Sequence, residues 1–154
     1  ETDAEEGAVV ELRLNGGREV RIPADEDSIS IFFKMAEDNA RRTGPALEGM
    51  QRFMLWLIPT VEGFPRSQKF LLGDRIQSTA LNCLERLIEA TYTRKRDALL
   101  VEANLGLEKL RILFRLAHDL RHLDARRYEF AARSLDDVGR RVGGWRRADH
   151  AGQG

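Results

Sequence analysis

Four stretches of this chain repeat apolar residues at alternating steps of three and four. Leu47, Met50, Met54, Leu57 and Val61 form the first, and Ile76, Ala80, Cys83, Leu87 and Ala90 the second. Leu100, Ala103, Leu107, Leu110, Phe114 and Ala117 form the third; Tyr128, Ala131, Leu135, Val138, Val142 and Trp145 form the fourth. That step keeps the apolar residues on one face of an α-helix, so each stretch predicts an amphipathic helix. The second helix is expected from about Ser67 to Arg94. Pro59 inside the first pattern should kink or end that helix locally, because it lacks an N–H and its ring clashes with the preceding turn. Short breaks at Pro65, Arg96-Asp97 and Asp124 force each helix to return antiparallel to the last. The expected fold class is therefore all-α, an up-down-up-down antiparallel four-helix bundle over residues 46–148, its helices crossing at about 20°.

The first 45 residues follow another period. Val9 to Leu14 and Arg18 to Ile22 alternate apolar and polar side chains, the signature of half-buried strands. Asn15-Gly16-Gly17 between them tolerates positive φ, so a β-hairpin is expected, with Pro23 stopping its second strand. Asp27 or Ser28 then caps a helix from about Ile29 to Arg42, which Gly44-Pro45 ends. Residues 1–45 thus read as a hairpin-plus-helix extension too small to stand alone. Residues 149–154 read as a disordered tail.

Several helices are apolar beyond one stripe. The third adds Leu105, Ile112, Leu113 and Leu116, the second adds Leu84 and Ile88, and the first adds Phe53 and Trp56. Such faces either widen the core-facing stripe or make subunit contacts.

Charge changes the picture more than composition does. The 154 residues balance 25 Lys/Arg against 25 Asp/Glu, yet the halves differ. Residues 1–45 hold 6 Lys/Arg and 11 Asp/Glu, a charge of −5, whereas residues 46–148 hold 19 and 13, a charge of +6. A basic body with an acidic appendage points to a polyanionic partner for the body, whose basic face the appendage could mask. The opposing view is that arginine merely solvates helix faces. One cysteine, Cys83, excludes an internal disulfide framework and suits a reducing cytosol, so a cytoplasmic location is expected. No apolar run approaches the roughly 20 residues that span a bilayer, and no signal-peptide pattern is present. The first residue is Glu1 rather than methionine, which leaves open that the natural start is missing.

The segment Phe64-Pro65-Arg66-Ser67-Gln68-Lys69-Phe70-Leu71-Leu72-Gly73-Asp74-Arg75-Ile76 carries a resemblance. It continues through Tyr92, Ala103-Asn104-Leu105, Arg115 to Leu120, Arg127-Tyr128-Glu129 and Gly143-Gly144-Trp145. These patches, in this order, resemble the accessory variability determinant (Avd) of diversity-generating retroelements. They also resemble its relatives, the four-helix proteins encoded in intervening sequences of bacterial 23S ribosomal RNA genes. The resemblance spans roughly Leu47 to Trp145 and leaves the N-terminal extension outside. It implies a non-catalytic, homopentameric accessory protein without cofactor. Its implied partners are a reverse transcriptase and RNA or DNA, as template RNA and cDNA. The ribosomal relatives imply the rival of an oligomeric scaffold that binds no nucleic acid.

The candidate nucleic-acid contacts are Arg66, Lys69, Arg75, Arg94, Lys95, Arg96, Arg111, Arg115, Arg126, Arg127, Arg140 and Arg141. Arg66 and Lys69 flank a helix start, where free N–H groups attract anions. Arg94-Lys95-Arg96 at the end of the second helix either cap its dipole or bind phosphate. Guanidinium meets phosphate in bidentate fashion, but abundant Asp and Glu offer intramolecular partners. Asp74 and Arg75 are expected to pair with charges on an adjacent helix, Trp145 to seal the bundle end, and Cys83 to pack in the core. Arg111 with His118, and Arg115 with His122, also resemble the spacing of HEPN-type ribonucleases, with six intervening residues each, but Ile112 and Leu116 follow the arginines where that pattern prefers a polar residue. No cluster has zinc-ligand spacing, and no Gly-rich phosphate loop follows a strand, since Gly16-Gly17 reads as the hairpin turn.

Overall fold

The computed structural model describes the backbone of residues 8–13 and 19–152. The chain forms two compact units, Glu1–Arg42 and Thr43–Gly154. In the first unit, β1 (Val9–Arg13) and β2 (Glu19–Pro23) pair antiparallel with Glu11 opposite Arg21. Those two side chains form a cross-strand ion pair at 2.9 Å. The Asn15-Gly16-Gly17 turn lies outside the described residues. The helix that follows is capped by Asp25 rather than Asp27 or Ser28. Asp25 accepts from the Ser28 amide at 2.7 Å and from its hydroxyl at 2.8 Å, and these bonds hold its carboxyl below the usual value. The earlier cap suits the chain because Pro23 already fixes the strand end two residues upstream.

Helix α1 (Glu26–Glu62) contains one non-helical residue, Gly44, at φ 66° and ψ 165°. A residue with a Cβ rarely adopts this conformation, so Gly44 sets the break and Pro45 starts the next helical stretch. Of the two expected effects of Pro59, a kink or an end, the end does not occur: the stretch keeps helical geometry to Glu62. Pro59 and Leu55, the residue four before it, are both exposed, so water can meet the carbonyl that proline leaves unbonded. After Phe64-Pro65 come a single helical turn, α2 (Arg66–Gln68), and a π-helical turn over Lys69–Gly73. Helix α3 (Asp74–Thr91) ends at Tyr92, α4 (Asp97–Asp119) follows, and α5 (Ala125–Ala151) closes the chain. The second helix is thus shorter than the expected 67–94, because the π turn interrupts its start and Tyr92 caps its end. Asp149 and His150, expected in a disordered tail, belong to α5.

The protein has the all-α architecture its patterns imply: an antiparallel four-helix bundle, with the hairpin and helix of the N-terminal unit in addition. Residues 45–62, α3, α4 and α5 make the bundle. All the 3-4 stripe residues are buried except Tyr128 and Trp145, which are half-buried against the same core. Each fully buried Leu or Ile contributes about 1.5–3 kcal/mol relative to exposure. Phe53 and Trp56 widen the core of the first bundle helix rather than facing outward. Phe53 stacks on Trp56 at 5.7 Å and meets the edge of Phe114 at 5.9 Å, while Trp56 reaches Phe130 at 4.8 Å. Leu84 and Leu113 are half-buried against the core. Leu105, Ile112 and Leu116 remain exposed and, with Val101, stand opposite the buried stripe of α4 at 100° per residue.

Gly73 explains why a glycine closes the π turn. A Cβ there would stand 2.8 Å from Cγ1 of Val61. Gly73→Ala is expected to lower stability by about 1–3 kcal/mol through overpacking, outweighing the helix-propensity gain of about 0.5–1 kcal/mol. Thermal melting checks this, and a raised midpoint would contradict the close approach. Cys83 is buried as expected; its thiol contacts the Ala103 carbonyl at 3.4 Å, and burial pushes its pKa up to about 12.

Candidate nucleic-acid interface

The twelve cations singled out by sequence divide by their partners. Lys69 pairs with Glu62 at 2.6 Å, and Arg96 with Asp149 at 2.7 Å. Arg111 pairs with Asp136, reaches Glu108 at 3.3 Å and donates to the Leu135 carbonyl at 3.4 Å. Arg127 approaches Asp124 at 4.0 Å, and Arg140 and Arg141 share Asp137 at 3.7 and 3.0 Å. Arg141 also donates to the Pro45 carbonyl at 2.9 Å, tying α5 to the start of the first bundle helix. These six hold the fold's surface together before any ligand arrives. The other six, Arg66, Arg75, Arg94, Lys95, Arg115 and Arg126, are exposed and form no ion pair among the described residues.

Topology gathers four of those six. The Phe64 ring lies 6.2 Å from the His122 ring, so the α1–α2 and α4–α5 connections share one end of the bundle. Arg66 directly follows the first connection and Arg126 the second, while Arg75 lies in the first turn of α3 and Arg115 in the last turns of α4, in the half of the bundle nearest that end. Arg94 and Lys95 lie at the opposite end, in the loop between Tyr92 and Asp97 rather than on the second helix. Of this run, Arg96 caps the helix, bonding the last-turn carbonyl of Ala90, as one of the two expected readings has it. Its guanidinium sits 5.3 Å over the Trp145 ring and donates to the Ala90 carbonyl at 3.1 Å. Trp145 thus seals this end, as expected, with Arg96 as its lid. Asp97 adds a second tie, accepting from Arg146 at 2.9 Å and His150 at 3.0 Å. The Arg146 hydrogen bond, then that of His150, holds the Asp97 carboxyl below its ordinary value. This tie is present above the ordinary carboxylate range and is lost as pH falls through the lowered value.

The expectation that Asp74 and Arg75 pair with an adjacent helix is not met: neither forms an ion pair among the described residues. The wall of α4 facing Arg75 across a groove offers Lys109, Ile112 and Leu113, none of them an acid. Arg121 is a cation that sequence reasoning missed. It holds φ 64°, and its amide bonds the His118 carbonyl while the His122 amide bonds that of Ala117, both at 2.9 Å. This is the Schellman ending of a helix, whose left-handed position favours glycine. His118 faces Asp119 at 3.2 Å and stacks on Tyr128 at 5.0 Å, while His122 stands by Phe64.

The bAvd-like family model matches residues 46–148, the bundle and little else. This chain belongs to the bAvd-like family. No curated protein and no solved structure matches it. The matched range leaves the hairpin and the first part of α1 outside, so the bAvd-like portion is the unit that carries the unpaired cations. Among the described residues of this bAvd-like chain, no helix is long and apolar enough to cross a membrane.

Proposed function

We propose that this bAvd-like protein is a non-catalytic accessory subunit of a diversity-generating retroelement, which docks template RNA or cDNA beside a reverse transcriptase. The observation that carries this reading is the set of exposed cations that have no carboxylate partner among the described residues, four of them in the half of the bundle nearest the Phe64–His122 end. Cations not neutralised within the fold can release counterions from a polynucleotide, a source of affinity that does not depend on sequence. Nothing in the bundle resembles a base-reading module, so recognition rests on backbone charge and shape. The exposed apolar residues away from α4, among them Leu55, Phe70 and Leu71, support self-association, and the proposed assembly is a homopentamer. The pairing of Arg96, Arg111 and Arg141 inside the fold favours the rival reading of a scaffold that does not touch nucleic acid.

Binding of structured RNA, measured by fluorescence anisotropy across a salt series, tests the choice. The proposal expects affinity to fall steeply with salt, and native mass measurement should give five subunits. Absence of binding at low salt leaves the scaffold reading in its place.

A further inference from the structure

Between α3 and α4 runs an open groove of about 700 Å³. Its two walls differ in chemistry. On α3, Arg75, Ser78, Thr79, Asn82 and Arg86 follow one another at helical spacing. All five can donate hydrogen bonds and none is acidic. On α4, the groove is lined by Leu105, Ile112 and Leu113, with Lys109 between them and the acidic Glu102 at one end. Leu105 is 56% exposed and Ile112 69%, so the apolar wall is open to a ligand. Gly106 lies at the floor; a Cβ there would stand 3.3 Å from Cβ of Cys83, and its absence lets the helices approach without filling the groove.

The charges along the groove are not balanced internally. Arg86 meets Glu89 at 3.3 Å and Glu102 at 3.8 Å, which closes one end with a neutralised cluster. Arg75 and Lys109 form no ion pair among the described residues. The Ser78 hydroxyl donates to the Asp74 carbonyl at 2.9 Å, so it is left to accept. From Arg75 to Arg86 the α3 wall is about 16 Å long at 1.5 Å per residue, room for roughly two or three nucleotides of an extended strand.

We infer that this groove holds a short single-stranded stretch of polynucleotide, its phosphates along Arg75, Thr79, Asn82 and Lys109 and its bases against Leu105 and Ile112. The inference rests on the nucleic-acid reading above and sharpens it to unpaired strands. Arg75 and the neutral donors of α3, opposite an apolar wall that itself carries Lys109, complement a chain whose one edge is anionic and whose other edge is a set of flat, apolar faces. A duplex hides those faces in its stack and cannot use the apolar wall. A flat protein surface would use the wall but leave Arg75 and Lys109 without counter-charge.

The test compares a labelled oligouridylate with an RNA duplex on full-length protein, by anisotropy over a salt series. Leu105→Ser with Ile112→Ser changes two exposed side chains and no charge. The expected result is about a tenfold loss for the single strand from lost apolar burial, an unchanged salt slope, and an unchanged duplex affinity. Lys109→Glu should instead weaken single-strand binding and lower the magnitude of its salt slope by at least about 0.7. Unchanged single-strand affinity in both variants overturns the groove while leaving the platform reading intact; failure of wild type to bind any RNA overturns both. Native mass measurement separates the remaining rival, a second copy in the groove. If the serine variant dissociates and loses single-strand binding together, cross-linking of 4-thiouridine RNA to wild type decides. Adducts on the α3 or α4 walls support the groove, and adducts confined elsewhere overturn it.

Discussion

Replacing Arg66, Arg75, Arg115 and Arg126 together by glutamate is expected to lower affinity for structured RNA by at least about a thousandfold at ~0.1 M salt. Each phosphate contact adds about 0.7–0.9 to the slope of log affinity against log salt, so losing four removes roughly three units. All four side chains are exposed and form no ion pair among the described residues, so the fold loses no partner when they change. Circular dichroism should therefore be unchanged. Arg127→Ala and Arg140→Ala form the contrast, because Asp124 and Asp137 already stand beside those guanidiniums. Their loss should alter affinity by less than about tenfold, since exposed pairs of this kind are worth about 0–1 kcal/mol and hold little charge in reserve. Equal losses from both sets would mean that intramolecular pairing does not decide which arginines reach phosphate.

Phe114→Ala should lower stability by about 3–5 kcal/mol, a large part of the 5–15 kcal/mol that holds a domain of this size. Phe114 is 1% exposed and meets both the Phe53 ring at 5.9 Å and the Trp56 ring at 6.1 Å. Its removal leaves a cavity that rigid aromatic neighbours cannot collapse to fill. Urea unfolding followed by tryptophan fluorescence reads the change, with Trp56 beside the site as reporter. Phe130→Ala is the comparison: that ring also touches Trp56 but is 48% exposed, so the loss should stay near 1 kcal/mol. Similar losses at the two positions would place the aromatic cluster at the surface.

The core was legible from the sequence because helical burial is periodic. A 3-4 step identifies the buried face without knowledge of what packs there, and every residue from Leu47 to Val61 on that step is buried. The short connections then left antiparallel return as the simple closure. Local chemistry was less legible where two signals competed. Pro59 stays inside its helix because the carbonyl it leaves unbonded sits on a solvent-facing side, a fact of three-dimensional placement. Asp25 won the cap over two neighbours that carry equally suitable oxygens.

The site divided along the same line. Sequence alone determined which helices bear cations, that the bundle carries the excess positive charge, and that the family resemblance covers the bundle and not the extension. Tertiary structure decided which of those cations remain available. Arg111 and Arg115 are one turn apart on α4 and look alike in sequence; one meets Asp136 of α5 and the other meets no acid among the described residues. Arg96 differs from Arg94 only in facing Trp145 and Asp149, which come from the far end of the chain. Lys109, Thr79 and Asn82 showed no signal at all, because the groove they line exists only once α3 and α4 pack through Gly106. The physical reason is range: helix periodicity is fixed by neighbours three and four residues away, whereas the pairing of a surface charge depends on whichever helix the bundle brings beside it.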